Sequence, residues 1–146
     1  MDAVSNVMAG KRGLVMGVAN ERSIAWGIAK TAAEHGAELA FTYQGDALLK
    51  RLEPLARSVG SDTIMQCDVT EDRSIEDTFT SIQQKWGKLD FLVHAIAYSD
   101  KEELKGEYVN TTRDNFLRTL DISCYSFTSV SKHAADLMGN GGSLLT

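Results

Sequence analysis

Residues 17–27 read GVANERSIAWG and follow a short apolar run at residues 12–16. The apolar run predicts a strand, and apolar side chains at helical spacing over residues 23–35 predict a helix, so the intervening segment is a strand-to-helix turn. In such a turn Gly17 permits a tight bend, and Ser23 offers a hydroxyl where a helix N-terminus can face a phosphate group. A plain strand-to-helix turn with Ser23 as the helix cap fits the same residues equally well.

The alternation of strand and helix continues along the chain. Strands are predicted at residues 12–16, 37–43, 63–67, 89–95 and 143–146, and helices at residues 23–35, 46–59, 72–86 and 112–138. Helices of this length between strands indicate parallel pairing, and strands that are apolar on both faces indicate a sheet covered on both sides. With right-handed crossovers, the sequence predicts an α/β fold with a Rossmann-type doubly wound parallel sheet of order 3-2-1-4-5, truncated after about five strands.

Residues 1–146 are predicted to form a single domain, because no linker or low-complexity stretch divides them. Asp46 is a candidate cap for the second helix. Pro54 lies inside that helix and should kink or divide it. The long helix at residues 112–138 should break near Asp121.

The composition excludes several classes of function. The chain has 43% hydrophobic and 24% charged residues, a net charge of −5 and a pI of about 5.1. Its basic residues form no dense cluster that could follow a nucleic-acid backbone. No apolar run approaches the roughly 20 residues that span a bilayer, and residues 1–10 lack the pattern of a secretory signal. The scattered histidines indicate no metal site, and Cys67 and Cys124 are expected to be reduced thiols. We therefore expect no nucleic-acid, membrane or metal partner.

The predicted strand order reverses between the first and fourth strands. We therefore expect a ligand crevice where Gly17 meets residues 95–97, whose small side chains let a ligand lie against the backbone. Gln44 ends the second strand, where it can hydrogen-bond a ribose hydroxyl but brings no charge for a 2′-phosphate. This residue favours NADH over NADPH.

A carboxylate and an apolar residue follow the third strand. Asp68 could accept a hydrogen bond from an adenine amino group, and Val69 could cover the face of the ring. The alternative is that Asp68 or Thr70 only caps the next helix.

Four segments together carry a resemblance to a known family. They are Gly17-x5-Ser23-Ile24-Ala25-x-Gly27, Phe41-Thr42-Tyr43-Gln44, Gln66-Cys67-Asp68-Val69 and Leu92-Val93-His94-Ala95-Ile96-Ala97. In this order they resemble the bacterial enoyl-acyl-carrier-protein reductases, a divergent branch of the short-chain dehydrogenase/reductases. The resemblance runs from about Gly10 to Thr146, nearly the whole chain.

The resemblance implies an NADH-dependent oxidoreductase of type II fatty-acid biosynthesis, cytoplasmic and homotetrameric, that reduces the trans-2 double bond of an acyl thioester on acyl carrier protein. It implies cofactor contacts by Gly17, Ser23, Ile24, Gln44, Asp68, Val69, Ala95, Ile96 and Ala97. Ala95 and Ala97 replace the serine and glycine of many family members, which leaves their side-chain contacts open. Another divergent short-chain reductase, or a dinucleotide-binding module without catalysis, remains an alternative.

The family's catalytic Tyr-x6-Lys follows the fifth strand, so we expect it beyond Thr146 and expect no catalytic residue within the chain. Tyr125 and Lys132 have the same spacing, but they precede the fifth strand. We interpret both as ordinary residues of the long helix.

The 146-residue polypeptide by itself should therefore show no enoyl reductase activity. An enolate that forms in the transition state needs a positioned donor, and removal of one such donor typically costs about 100-fold or more in rate. Consumption of NADH with a crotonyl thioester measures this for the polypeptide and for its Tyr125→Phe variant. Turnover close to that of a full-length enzyme, abolished by Tyr125→Phe, would instead make Tyr125 and Lys132 the catalytic pair.

Overall fold

Strands and helices alternate through the computed structural model, which describes residues 5–146. The strands are β1 Arg12–Met16, β2 Glu38–Tyr43, β3 Thr63–Gln66, β4 Phe91–His94 and β5 Ser143–Leu145, and the α-helices are α1 Ile24–Glu34, α2 Asp46–Ser58, α3 Asp72–Trp86, α4 Arg113–Leu120 and α5 Ser126–Asp136. A 3₁₀ turn at Tyr108–Asn110 precedes α4, and a π-helical turn at Asp121–Tyr125 joins α4 to α5. The expectation that residues 1–10 are not a secretory signal concerns a segment that lies partly outside the described residues.

The five strands form one parallel sheet in the order β3-β2-β1-β4-β5. Met16, the last residue of β1, lies opposite Thr42 of β2 and His94 of β4, so the carboxyl ends of the three central strands are level. The predicted fold class and strand order are confirmed. The reversal of order lies between β1 and β4, as the sequence indicates.

Side chains of β1 alternate between two apolar layers. Leu14 and Met16 point to one face of the sheet and Val15 to the other, and all three are fully buried. Helices α3 and α5 cover the first face through Ile75, Phe79, Ile82, Val130 and Ala134, and helices α1 and α2 cover the second through Ala25, Ala29, Leu52 and Ala56. Full burial of one large aliphatic side chain stabilises the fold by about 1.5–3 kcal/mol, so these layers hold the strand ends in fixed positions.

Helix α2 differs from its sequence-based prediction in two ways. It runs without interruption through Pro54, so the prediction that the proline divides it is wrong. Pro54 itself is exposed and lies on the outer side of the helix. The buried residues Leu52 and Ala56 hold the helix on the sheet on both sides of the proline. Gly45 rather than Asp46 occupies the N-cap, and Asp46 lies in the first turn, where its charge favours the helix dipole.

The long helix predicted at residues 112–138 is broken near Asp121, as expected. The break divides the apolar stripe of this helix, which consists of Phe116, Leu117, Leu120, Phe127, Val130 and Ala134, into two parts. On α5, Val130 and Ala134 are fully buried against the sheet. On α4, three large apolar side chains are substantially exposed: Phe116 at 42%, Leu117 at 58% and Leu120 at 46%. The chain's own sheet therefore covers only the second part of the stripe.

Candidate functional site

A cleft of about 390 Å³ opens at the carboxyl ends of β1 and β4, where the strand order reverses. This is the position at which open parallel sheets hold ligands. Seven of the nine residues proposed as cofactor contacts line the cleft: Gly17, Gln44, Asp68, Val69, Ala95, Ile96 and Ala97. Ser23 and Ile24 are not among its lining residues.

The floor of the cleft depends on Gly17. Its φ is +105°, in the region that favours glycine, and a Cβ there would overlap the carbonyl oxygen of Ala95. The Ala95 amide also donates to the Met16 carbonyl at 3.0 Å, which continues the β1–β4 ladder up to the cleft. Only glycine therefore allows the backbone segments that follow β1 and β4 to come this close before they separate and open the crevice.

Ser23 shapes the turn above that floor. Its hydroxyl accepts hydrogen bonds from the backbone amides of Ala19 at 2.9 Å and Asn20 at 3.1 Å. Ser23 occupies the N-cap position of α1, as predicted, but its side chain bonds back into the turn and does not cap the helix. Ile24, the first residue of α1, is 80% exposed. Direct cofactor contacts by these two residues stay predictions.

Gln44 and Asp68 form a polar shelf at the ends of β2 and β3. The Gln44 side-chain nitrogen donates to Asp68 Oδ2 at 3.1 Å, and Asp68 Oδ1 accepts from both the backbone amide and the hydroxyl of Thr70, at 2.9 and 2.7 Å. The N-cap of α3 is Glu71 and makes no side-chain cap bond, so the capping alternative for Asp68 or Thr70 is not realised.

Burial raises the pKa of Asp68, but hydrogen bonds from Thr70 and Gln44 and the positive charge of Arg118 outweigh it and place the pKa below its usual value. The shelf therefore presents a carboxylate at neutral pH. Among residues 5–146, no donor reaches the side-chain oxygen of Gln44, so this residue of the cleft lining keeps a free acceptor.

Several residues that line the cleft lie outside the four segments that carry the family resemblance. Tyr98 follows the small residues after β4, Arg118 comes from α4 and Ile122 from the π-helical turn. The Arg118 guanidinium carbon lies 4.7 Å from the centroid of the Tyr98 ring. A signal for these residues exists in the topology, because the helix that follows β4 must pass above the switch point.

His94 lies directly beneath the cleft and is buried. Its Nε2 is 2.7 Å from the hydroxyl of Ser126, which donates to the Ile122 carbonyl at 2.6 Å within the π-helical turn. Its Nδ1 is 3.0 Å from the hydroxyl of Thr146. Burial lowers the pKa of His94 below its ordinary value, so the neutral imidazole is favoured at neutral pH.

Tyr125 and Lys132 lie outside the cleft lining. Tyr125 is 55% exposed, and Lys132 is exposed on α5. This placement is consistent with their interpretation as ordinary helix residues.

Residues 5–146 bring together no group of three or more His, Cys, Asp or Glu side chains that could hold a metal ion. Both cysteines are free, Cys67 buried and Cys124 exposed. Within that range, no helix combines the length and apolar character that crossing a membrane requires.

The sheet order, the crossover helices and the cleft at the switch point define a Rossmann-type doubly wound α/β fold. A sequence model described as "Enoyl-(Acyl carrier protein) reductase" matches residues 17–146. The chain belongs to this enoyl-acyl-carrier-protein reductase family.

Curated relatives and solved structures agree with this assignment. "Enoyl-[acyl-carrier-protein] reductase [NADH] 2" of Rhizobium meliloti (strain 1021) is 60% identical over 143 residues, which cover 98% of this chain and 53% of that protein. The enoyl-(acyl-carrier-protein) reductase of Anaplasma phagocytophilum, solved in complex with NAD, matches with a TM-score of 0.94 and 49% identity over 100% of this chain and 56% of that one.

A further solved structure is the Bacillus cereus enoyl-acyl carrier protein reductase with NADP+ and indole naphthyridinone. It matches with a TM-score of 0.92 and 42% identity, and covers 95% of this chain and 55% of that one. The chain thus spans about half the length of the relatives it matches.

The buried His94 should make stability depend on pH. Because its pKa is lower in the folded than in the unfolded protein, the unfolded state binds the proton first as pH falls through about 6.5. The free energy of unfolding should therefore fall between pH 7.5 and 5.5, and by less in a His94→Gln variant. Urea unfolding at the two pH values measures both changes. The same change in both proteins would show that the burial of His94 does not contribute.

Proposed function

We propose that this chain is the dinucleotide-binding part of an NADH-dependent enoyl-acyl-carrier-protein reductase of type II fatty-acid biosynthesis. The observation that carries the proposal is the cleft at the switch point, which contains Gly17, the Gln44–Asp68 shelf and residues 95–97 in a chain of this family. Residues 1–146 then form a single dinucleotide-binding domain of a cytoplasmic enzyme.

The residues of the cleft fit a dinucleotide. The backbone of Gly17, Val18 and Ala19 lines the cleft, and the N-terminus of α1, which begins at Ile24 after this turn, suits a pyrophosphate. The Gln44 side-chain oxygen suits a ribose hydroxyl, and the Asp68 carboxylate suits the adenine amino group over Val69. When bound, the nicotinamide supplies the hydride that reduces the double bond.

The substrate is an enoyl chain carried as a thioester on acyl carrier protein. A tyrosine that stabilises the enolate and a lysine that holds the nicotinamide ribose are supplied by sequence after Thr146, in the family's Tyr-x6-Lys. Within the chain, the small residues at positions 95–97 leave space for the reacting end of the cofactor against the backbone. Support for this division of roles comes from the relatives, which are about twice as long as the chain.

Gln44 should set the choice of cofactor. It brings no positive charge to a 2′-phosphate, so the full-length protein should have a higher kcat/KM with NADH than with NADPH, and Gln44→Arg should move the ratio toward NADPH. Steady-state kinetics with each cofactor measure the ratio, and Gln83→Arg, an exposed site on α3, adds the same charge elsewhere as a control. A clear preference of the wild type for NADPH would refute the role given to Gln44. Use of NADPH is an alternative that needs this test, because one relative was solved with NADP+.

The exposed part of α4 supports the proposed homotetramer. Phe116, Leu117 and Leu120 form an apolar surface that the chain's own sheet does not cover, and such surfaces commonly mark contacts between subunits. Light scattering of the full-length protein should give four times the mass of one chain. Leu117→Glu should lower that mass, whereas Gln84→Glu, an exposed site on α3, should not. A monomeric wild type would contradict the proposal.

A further inference from the structure

Arg118 places a positive charge in the adenosine half of the cleft. It projects from α4 into the cleft that Asp68 and Val69 also line, and its charge contributes to the lowered pKa of Asp68. Among residues 5–146, no carboxylate lies within 4.0 Å of its guanidinium. The charge is therefore not taken up by an ion pair in the described part of the chain.

The position of the guanidinium is set by Tyr98. The guanidinium carbon lies 4.7 Å from the centroid of the ring, a cation–π contact. The Tyr98 backbone is fixed by Ser123, whose hydroxyl accepts from the Tyr98 amide at 3.0 Å and donates to its carbonyl at 3.2 Å. The guanidinium thus lies over an aromatic ring whose backbone is held by Ser123 of the π-helical turn.

The helix that carries Arg118 is held to the same loop one turn earlier. The Asn115 side chain accepts from the Asp100 amide at 2.8 Å and donates to the Ser99 hydroxyl at 3.1 Å, and Asn115 is buried. The loop after β4 and the helix α4 therefore form one unit. Arg118 and Tyr98 lie on its cleft side.

We propose that Arg118, backed by Tyr98, stacks on the purine base of the bound cofactor and so determines the affinity of the adenosine half. The proposal rests on the proposed function of the cleft. The base lies between the guanidinium on one side and Val69 on the other, with its amino group toward Asp68. One face of the guanidinium contacts Tyr98, and the opposite face contacts the purine.

A base fits this position better than a phosphate does. The Asp68 carboxylate is charged at neutral pH and shares this part of the cleft, so it would repel a phosphate and attract an exocyclic amino group. The N-terminus of α1, which suits a phosphate, follows the turn after Gly17, whereas Arg118 comes from α4, after β4. Guanidinium groups stack readily on flat π systems, and the Tyr98 contact already shows Arg118 doing so.

The experiment uses the full-length protein and two half-ligands, adenosine and reduced nicotinamide mononucleotide, each in competition with NADH. Arg118→Met should weaken the binding of adenosine and of NADH about two- to fivefold, which is the range of a cation–π contact at an exposed site. Binding of the nicotinamide half should not change. Arg118→Lys should recover only part of the loss, because an ammonium lacks the flat face.

Two further variants keep the test independent of folding. Tyr98→Leu removes the ring behind the guanidinium and should weaken adenosine by a smaller factor. Arg113→Met, at the exposed first position of the same helix and outside the cleft lining, is the matched control and should bind both half-ligands as the wild type does. Thermal unfolding of each variant verifies that the native fold is retained.

The outcomes separate the two proposals. Wild-type protein that binds no NADH would overturn the proposed function itself. Wild-type binding of NADH with unaltered adenosine affinity in Arg118→Met would overturn only the role of Arg118. An effect of Arg118→Met confined to phosphate-bearing ligands, and abolished by salt, would likewise overturn base stacking and make Arg118 a phosphate contact.

Discussion

The close approach of Gly17 to the Ala95 carbonyl is the constraint on which the site depends. The parallel strands β1 and β4 remain hydrogen-bonded up to Met16 and His94. The helices that follow them then pack on opposite faces of the sheet. The crevice opens at the first residue after this ladder, and the absence of a Cβ at Gly17 lets the backbone remain close to Ala95 there. The other residues that line the cleft are arranged around this close approach of Gly17 and Ala95.

The apolar layers on both faces convert this local constraint into a rigid frame. Alternating side chains of β1 are fully buried against α3 and α5 on one side and against α1 and α2 on the other. The strand ends that carry Gln44, Asp68 and Ala95 are therefore fixed relative to each other. The polar shelf consists of two side chains from different strands, 24 residues apart in sequence, joined by one hydrogen bond of 3.1 Å.

Much of this arrangement could be predicted from the sequence, because it follows from local patterns and from topology. Apolar runs separated by amphipathic helices predict the parallel sheet, and the rule of right-handed crossovers then predicts the order and the switch point. Gln44, Asp68 and residues 95–97 follow directly after strands, so their place in the cleft could be predicted as well. Tyr98 and Arg118 could not, because their contact depends on how α4 packs on the loop after β4.

Other differences have similar physical causes. Ser23 has the residue type and position of a helix cap, but its hydroxyl accepts hydrogen bonds from two amides of the preceding turn and makes no cap bond to α1. Pro54 is a helix breaker by local chemistry, yet the buried residues on both sides of it keep α2 continuous. The π-helical turn at Asp121–Tyr125 carries Ile122 to the cleft and Ser123 to the Tyr98 backbone, and Ser126 just after it lies against His94. It thereby links the site to the core beneath it.

A crystal structure of the full-length protein with bound NADH tests the central claim most directly. The pyrophosphate should lie over Gly17 and the adenosine between Val69 and Arg118, with its amino group toward Asp68 and the nicotinamide beside residues 95–97. A dinucleotide bound in the opposite direction, or outside the cleft between β1 and β4, would contradict it.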